Sequence, residues 1–182
     1  MRVLVVHESL FGSTHQIADA IARGIQESKP DARVECMRVG LATPDAVRRA
    51  DLLVVGGPTH MRAMTSAATR RMGLSAERDD GRPHHLEPGA AGPGVRDWFH
   101  DLPPAELGTP AAAFDTRADV RLAGGAAHGI ARKLRHHGYE LVARPEGFFV
   151  GEAEGSLQDG ELERARAWGA RLVRRRPTGF AT

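Results

Sequence analysis

Residues 2–14 read RVLVVHESLFGST, and this stretch decides the fold. Its first part, residues 2–6, is a short Val-rich apolar run typical of a parallel strand buried on both faces. Residues 14–27 then carry Ile and Ala three or four positions apart, which predicts a helix with one apolar face. The chain therefore begins with a strand, a tight loop and a helix.

The loop at residues 9–14 carries groups that can hold a phosphate. Hydroxyls stand at Ser9, Ser13 and Thr14, and Gly12 permits a turn with close backbone approach. The first-turn amides and the dipole of the helix both favour an anion. The loop contains no Lys or Arg and lacks GxxxxGK[ST], so a monophosphate would bind by hydrogen bonds alone. The alternative is an ordinary helix cap that binds nothing.

The alternation of strand and helix continues along the chain. Five strands that alternate with helices predict a doubly wound α/β fold, with helices on both faces of a parallel sheet. Pro145 interrupts the last strand, and a Pro- and Gly-rich surface loop is expected at about residues 73–94. The further predicted strands are residues 33–39, 51–57, 110–114 and 139–150, and the further helices are about residues 44–50, 94–101, 125–137 and 159–175.

Length and composition limit the class of protein. The 182 residues fit one domain, residues 1–176, with a tail at 177–182. Without a long apolar run or a secretion signal, we expect a cytoplasmic protein with no membrane contact. A net charge of +2 with scattered arginines argues against nucleic acid. Cys36 is the single cysteine, so disulfide and thiol chemistry are not expected.

Other kinds of site and other enzyme classes lack the motif or the spacing that they need. The paired histidines at 84–85 and 136–137 are neighbours in sequence and cannot face one metal from a helix. A serine hydrolase needs GxSxG, which is absent, and a low-molecular-weight phosphatase needs a cysteine at the head of the phosphate loop, whereas Cys36 lies in a strand. The glycines of residues 89–94 follow no strand, so they are not a dinucleotide fingerprint.

The segment SLFGST resembles the flavodoxin phosphate loop, usually written [ST]-x-[TF]-G-[NS]-T. The similarity runs from the first strand to the final helix and is greatest to flavodoxin-like proteins of actinobacterial type. It implies a three-layer sandwich whose five-stranded parallel sheet has the order 2-1-3-4-5, and it implies FMN as the cofactor. The residues that would hold the FMN phosphate are Ser9, Leu10, Phe11, Gly12, Ser13 and Thr14.

Two further loops lie where the resemblance places the flavin ring, because ligands of open α/β sheets bind at the carboxyl ends of strands. The segment GGPTHMRAM at residues 56–64 is similar to the family's G-x-P-[TV] loop. The backbone of this loop would edge the isoalloxazine ring near N5, through Pro58, Thr59, His60 and Met61. His60 is equally well interpreted as a surface or capping histidine.

The third loop follows the fourth predicted strand and reads FDTR at residues 114–117. The resemblance implies that the amides of Asp115 or Thr116 bond the pyrimidine edge of the ring. Arg117 would neutralise the reduced flavin. The alternatives are a turn residue at Asp115 and a solvated side chain at Arg117.

Two functions stay open. The first is an FMN flavoprotein that transfers electrons to a redox partner protein or reduces a small-molecule acceptor, as an oxidoreductase if it is an enzyme. The second is a flavodoxin-fold binding or regulatory module that no longer binds flavin tightly, since no Trp or Tyr stands in the two ring loops. Arginines near the predicted rim favour an acidic partner or an anionic substrate: Arg62, Arg70, Arg71 and Arg117.

Overall fold

A computed structural model describes residues 1–60, 63–65, 86–119, 125–151 and 156–174. The strands are β1 (Arg2–His7), β2 (Arg33–Arg38), β3 (Leu52–His60), β4 (Ala63–Met64), β5 (Thr109–Ala118), β6 (Tyr139–Leu141) and β7 (Glu146–Val150), and the helices are α1 (Ser13–Ser28), α2 (Pro44–Arg48), α3 (Val95–Asp101), α4 (Ala126–His136) and α5 (Glu161–Leu172). Every predicted element has a counterpart. The expected tail, and all of the expected long loop before residue 86, lie outside the described residues.

The strands form one sheet whose order confirms the predicted topology. The path is β2-β1-β3-β5-β6, and all neighbours along it are parallel. The predicted last strand divides at Pro145, as expected: β6 pairs with the start of β5 and β7 with its end. The short β4 adds an antiparallel partner to the end of β3.

Two hydrophobic clusters cover the two faces of the sheet, which makes the fold a three-layer sandwich. Val3 and Val5 point to the cluster under α1 and α5, whereas Leu4 and Val6 point to the cluster under α2, α3 and α4. This alternation explains why the first strand is apolar at every position. Each fully buried aliphatic side chain stabilises the fold by about 1.5–3 kcal/mol.

The central strands β3 and β5 are longer than the sequence predicts. The sequence predicts that β3 ends at residue 57, but the strand continues to His60 and keeps parallel register with β5 through Pro58. Gly56 is required by packing, because a Cβ there would lie 2.1 Å from Cζ of Phe114. The predicted third ring loop is likewise strand, since β5 extends to Ala118 between β3 and β7.

Within the described ranges, no helix combines the length and the apolar composition needed to cross a membrane.

Candidate functional site

The carboxyl ends of β1, β3 and β5 meet at one edge of the sheet. His7, the last residue of β1, is the register partner of Gly56, and Gly56 is the partner of Phe114 in β5. The segments that follow these strands, or extend them, are therefore neighbours. All three predicted ligand segments begin at this edge, where open α/β sheets bind ligands.

The loop after β1 turns into α1 at Gly12, whose φ is 101°. This left-handed conformation favours glycine, because a Cβ there meets the following carbonyl oxygen. The Gly12 amide donates to Oγ of Ser9 at 3.1 Å and closes the loop. Leu10 is buried and anchors the loop to the core. The amides of the first turn of α1 have no intrahelical acceptors and point toward the loop, which is a favourable donor set for a phosphate.

Hydroxyl contacts tie this loop to distant parts of the chain. Oγ1 of Thr14 and Oγ1 of Thr116 in β5 lie 2.7 Å apart, and both side chains are buried. The Ser13 hydroxyl donates to the carbonyl of Ser156 at 3.3 Å. The structure thus brings the predicted phosphate loop against the predicted third ring segment through one pair of threonines.

The segment predicted to edge the ring is largely strand. Pro58, Thr59 and His60 are the last three residues of β3, and Met61 lies outside the described residues. Oγ1 of Thr59 accepts a 2.8 Å hydrogen bond from the amide of Ala126, at the start of α4. The side chain of Thr59 therefore caps a helix, and any role toward a ligand stays a prediction.

Asp115, Thr116 and Arg117 lie inside β5. Asp115 is fully buried, and its Oδ2 accepts a 2.8 Å hydrogen bond from the Ala127 amide. Its Oδ1 has no hydrogen-bond partner among the described residues, although Nε of Arg117 is 3.7 Å away. Burial raises the pKa of Asp115, against the opposing effects of the Ala127 amide and the Arg117 charge. The guanidinium of Arg117 also lies 5.9 Å from the ring centre of Phe149.

Glu8 is a buried acidic residue at this edge that sequence reasoning missed. Its Oε2 accepts from the Val95 amide at 2.8 Å, and its Oε1 accepts from the Thr65 hydroxyl. Arg96 in turn donates to the carbonyl of Met64 at 3.0 Å. Glu8 is visible in the quoted stretch, but its partners lie far along the chain.

A second missed group surrounds the carboxylate of Glu87. His15 contacts it through Nδ1 at 2.7 Å, and Arg38 at the end of β2 forms an ion pair with it. The Glu87 amide donates to the carbonyl of Leu10 at 2.9 Å, so residue 87 is attached to the phosphate loop by backbone as well as side chain. Burial alone would raise the pKa of Glu87, but the His15 hydrogen bond and the charges of His15 and Arg38 hold it below its usual value.

His7 lies beneath this group. Its ring stacks on that of His15 at 4.7 Å, and its Nδ1 is 3.7 Å from Sγ of Cys36. Burial, reinforced by His15 and Arg38, lowers the pKa of His7 to about 4, so the ring is neutral at pH 7. Burial raises the pKa of Cys36 to about 12, so the thiol is protonated there and is a poor nucleophile.

The Trp and Tyr residues, which are the side chains best suited to stack on a flavin, lie away from this edge of the sheet. The sequence contains two Trp and one Tyr. Trp98 and Tyr139 are buried in one hydrophobic cluster, where Nε1 of Trp98 donates to the Ala42 carbonyl, and Trp168 is buried in the other cluster. These three side chains pack the core and do not line the edge of the sheet.

Comparison with known proteins agrees with this architecture. No protein-family model and no curated protein matches the sequence. A solved flavodoxin from the domain Archaea superposes with a TM-score of 0.63 at 20% identity, covering 94% of this chain and 96% of its own. Oxidised flavodoxin 1 from Bacillus cereus superposes with a TM-score of 0.64 at 17% identity, covering 95% and 97%. The flavodoxin, WrbA-like protein from Agrobacterium tumefaciens gives 0.56 at 20% identity, covering 94% of both chains. From its sheet order and these superpositions, the chain has the flavodoxin-like fold.

Proposed function

We propose that this protein binds FMN by its phosphate at residues 9–14 and acts as a redox protein. The observation that carries the proposal is the position of this loop: it joins β1 to the N-terminus of α1 at the edge where ligands of this fold class bind. The likeness to solved flavodoxins along nearly the whole chain supports the same ligand.

The donors of the loop suit a phosphate monoester. Ser9, Ser13 and Thr14 offer hydroxyls, and the first turn of α1 offers amides without helical acceptors. Gly12 adopts the left-handed turn, with a φ of 101°, that leads the loop into the helix. Thr14 can accept from Thr116 while it donates to a phosphate oxygen, since a hydroxyl does both. The proposed phosphate ligands are therefore Ser9, Leu10, Phe11, Gly12, Ser13 and Thr14, by amide or hydroxyl.

The isoalloxazine ring would extend from this loop toward the ends of β3 and β5. Bound FMN supplies the electron chemistry, and the protein supplies orientation and electrostatics. We assign the backbone of residues 58–61 and 115–117 to the ring. Arg117 lies near that end of the sheet with a half-buried guanidinium, which can favour a reduced, anionic flavin. The basic character of the chain, with a pI of about 9.2, suits an acidic redox partner protein or an anionic acceptor.

A second candidate function rests on the aromatic residues. Both Trp and the single Tyr are packed in the core, so neither residue type can stack on a flavin. Such a ring contact contributes about 0.5–1.5 kcal/mol beyond area burial. A flavodoxin-fold binding or regulatory module with little affinity for flavin would show this pattern.

Reconstitution separates the two candidates. The purified protein is incubated with FMN, desalted, and examined by absorbance before and after reduction with dithionite under argon. A redox protein retains flavin bands that bleach on reduction and return in air. If the desalted protein is colourless and does not quench the fluorescence of added FMN at micromolar concentration, the FMN proposal is wrong.

A further inference from the structure

The protein places one of its own carboxylates, that of Glu87, beside the phosphate loop. The carboxylate of Glu87 contacts Nδ1 of His15 at 2.7 Å and forms an ion pair with Arg38, whose Nη1 also donates to the Ser9 carbonyl at 3.4 Å. Oε1 of Glu87 lies 3.8 Å from the position of a Cβ on Gly12. The carboxylate thus lies beside Gly12, at the distance of an ordinary contact from any side chain placed there.

The contacts of Glu87 are the groups that an external anion would use. The Ser9 hydroxyl, itself a proposed phosphate ligand, is one of the groups that lower the pKa of Glu87. His15 and Arg38 are cationic or can become so, and the loop itself contains no Lys or Arg. The carboxylate of Glu87 is 17% exposed, so it is shielded enough for these charges to act on it strongly.

We propose that Glu87 competes with the ligand's phosphate, and that His15 and Arg38 form a cationic pair that transfers from Glu87 to the phosphate when the ligand binds. This inference rests on the phosphate site proposed above and adds two residues to it. Phosphate binding requires only that the Glu87 side chain rotates away, because the amide of residue 87 is held separately by the Leu10 carbonyl. The apparent affinity for phosphate falls as the fraction of molecules in which Glu87 is bound to His15 and Arg38 rises.

The decisive variant is Glu87→Gln, and the chain offers a matched control. Glu27 at the end of α1 pairs with Arg166 at 2.6 Å, so Glu27→Gln also removes one carboxylate from an arginine but does so away from the loop. FMN, riboflavin and inorganic phosphate are titrated into each protein at constant ionic strength. We expect Glu87→Gln to bind FMN and phosphate about tenfold more tightly than either wild type or Glu27→Gln, with riboflavin unchanged. Adding Arg38→Gln to Glu87→Gln should remove the gain.

The outcomes separate this inference from the proposed function. If FMN binds the wild type but Glu87→Gln binds it no more tightly than Glu27→Gln does, the inference is overturned and the FMN proposal stands. If FMN binds no variant, yet phosphate binds Glu87→Gln more tightly, FMN is the wrong ligand and the competition stands. If neither binds any of the proteins, both are overturned.

A measurement on the wild type covers the case in which Glu87→Gln does not fold. The His15 ring is followed by NMR as inorganic phosphate is added. Displacement of Glu87 changes the hydrogen-bond partner of Nδ1, so we expect its resonance to shift with phosphate concentration and not with matched chloride. An unchanged His15 resonance at saturating phosphate would overturn the proposal.

Discussion

The side-chain oxygens of Thr14 and Thr116 lie 2.7 Å apart, although 102 residues separate them in the sequence. One stands in the first turn of α1 and the other in β5, and both are buried. This contact joins the proposed phosphate end of the site to the strand that leads to the proposed ring end. The positions of the two ends are therefore coupled through one hydrogen bond.

Thr14→Ala is expected to weaken FMN binding by at least about tenfold, because a hydrogen bond to a charged group contributes about 1.5–3 kcal/mol. Thr14→Ser keeps the hydroxyl and should bind within about threefold of wild type. Fluorescence quenching of FMN measures both. An unchanged dissociation constant in Thr14→Ala would mean that the phosphate does not contact this residue.

Thr116→Val keeps the shape of the side chain and removes the partner of Thr14. We expect a loss of about 1 kcal/mol in the free energy of unfolding, typical of one neutral hydrogen bond. The double variant Thr14→Ala/Thr116→Val should lose less than the sum of the single variants, because both remove the same interaction. Urea denaturation of the four proteins tests this, and strict additivity would show that the bond contributes nothing.

Gly12→Ala is expected to destabilise the protein by about 1–2 kcal/mol, since the backbone φ of 101° is unfavourable for a residue with a Cβ. Gly57→Ala is a suitable control, because its new Cβ would find ordinary contacts at 3.5 Å or more. Thermal and urea unfolding measure both variants. Equal stability of the two would contradict the left-handed turn at the head of α1.

His7 makes the stability of the protein sensitive to mild acid. Its pKa is about 4 in the folded protein and 6.5 in the unfolded chain, so below pH 6.5 the unfolded state binds a proton that the folded state does not. Stability is therefore lost as the pH falls from 6.5 to 4, by about 3 kcal/mol.

The test of His7 compares unfolding free energies of wild type and His7→Asn across this pH range. We expect a shallower pH dependence in His7→Asn, and an unaltered one in His100→Asn, whose ring is exposed. If wild type and His7→Asn lose stability in parallel, His7 is not the titrating group.

Local patterns were sufficient for most of the fold. The apolar run of β1, the spacing of α1 and the break at Pro145 each act over a few residues, so these elements and the split last strand are predictable, whereas the strand order followed from the flavodoxin resemblance. The predicted strand end at residue 57 was wrong, because β3 runs on to His60, and the close approach of Gly56 to Phe114 is a contact between strands. Such packing cannot be read from one segment.

The candidate site was only partly predictable for the same reason. The loop at residues 9–14 is contiguous and has a recognisable pattern. The ion pair of Arg38 with Glu87 joins residues 49 positions apart, and the contact of Glu8 with Val95 spans 87. Neither acidic residue belongs to a motif, so only the folded chain identifies them.

The most direct test of the proposed site is a parallel titration of the wild-type protein with FMN and riboflavin, which differ only in the phosphate. We predict that FMN fluorescence is quenched at micromolar protein and that riboflavin binds at least about tenfold more weakly, because only FMN reaches the loop at residues 9–14. Equal affinity for the two flavins, or no quenching of either, would contradict phosphate recognition by this loop.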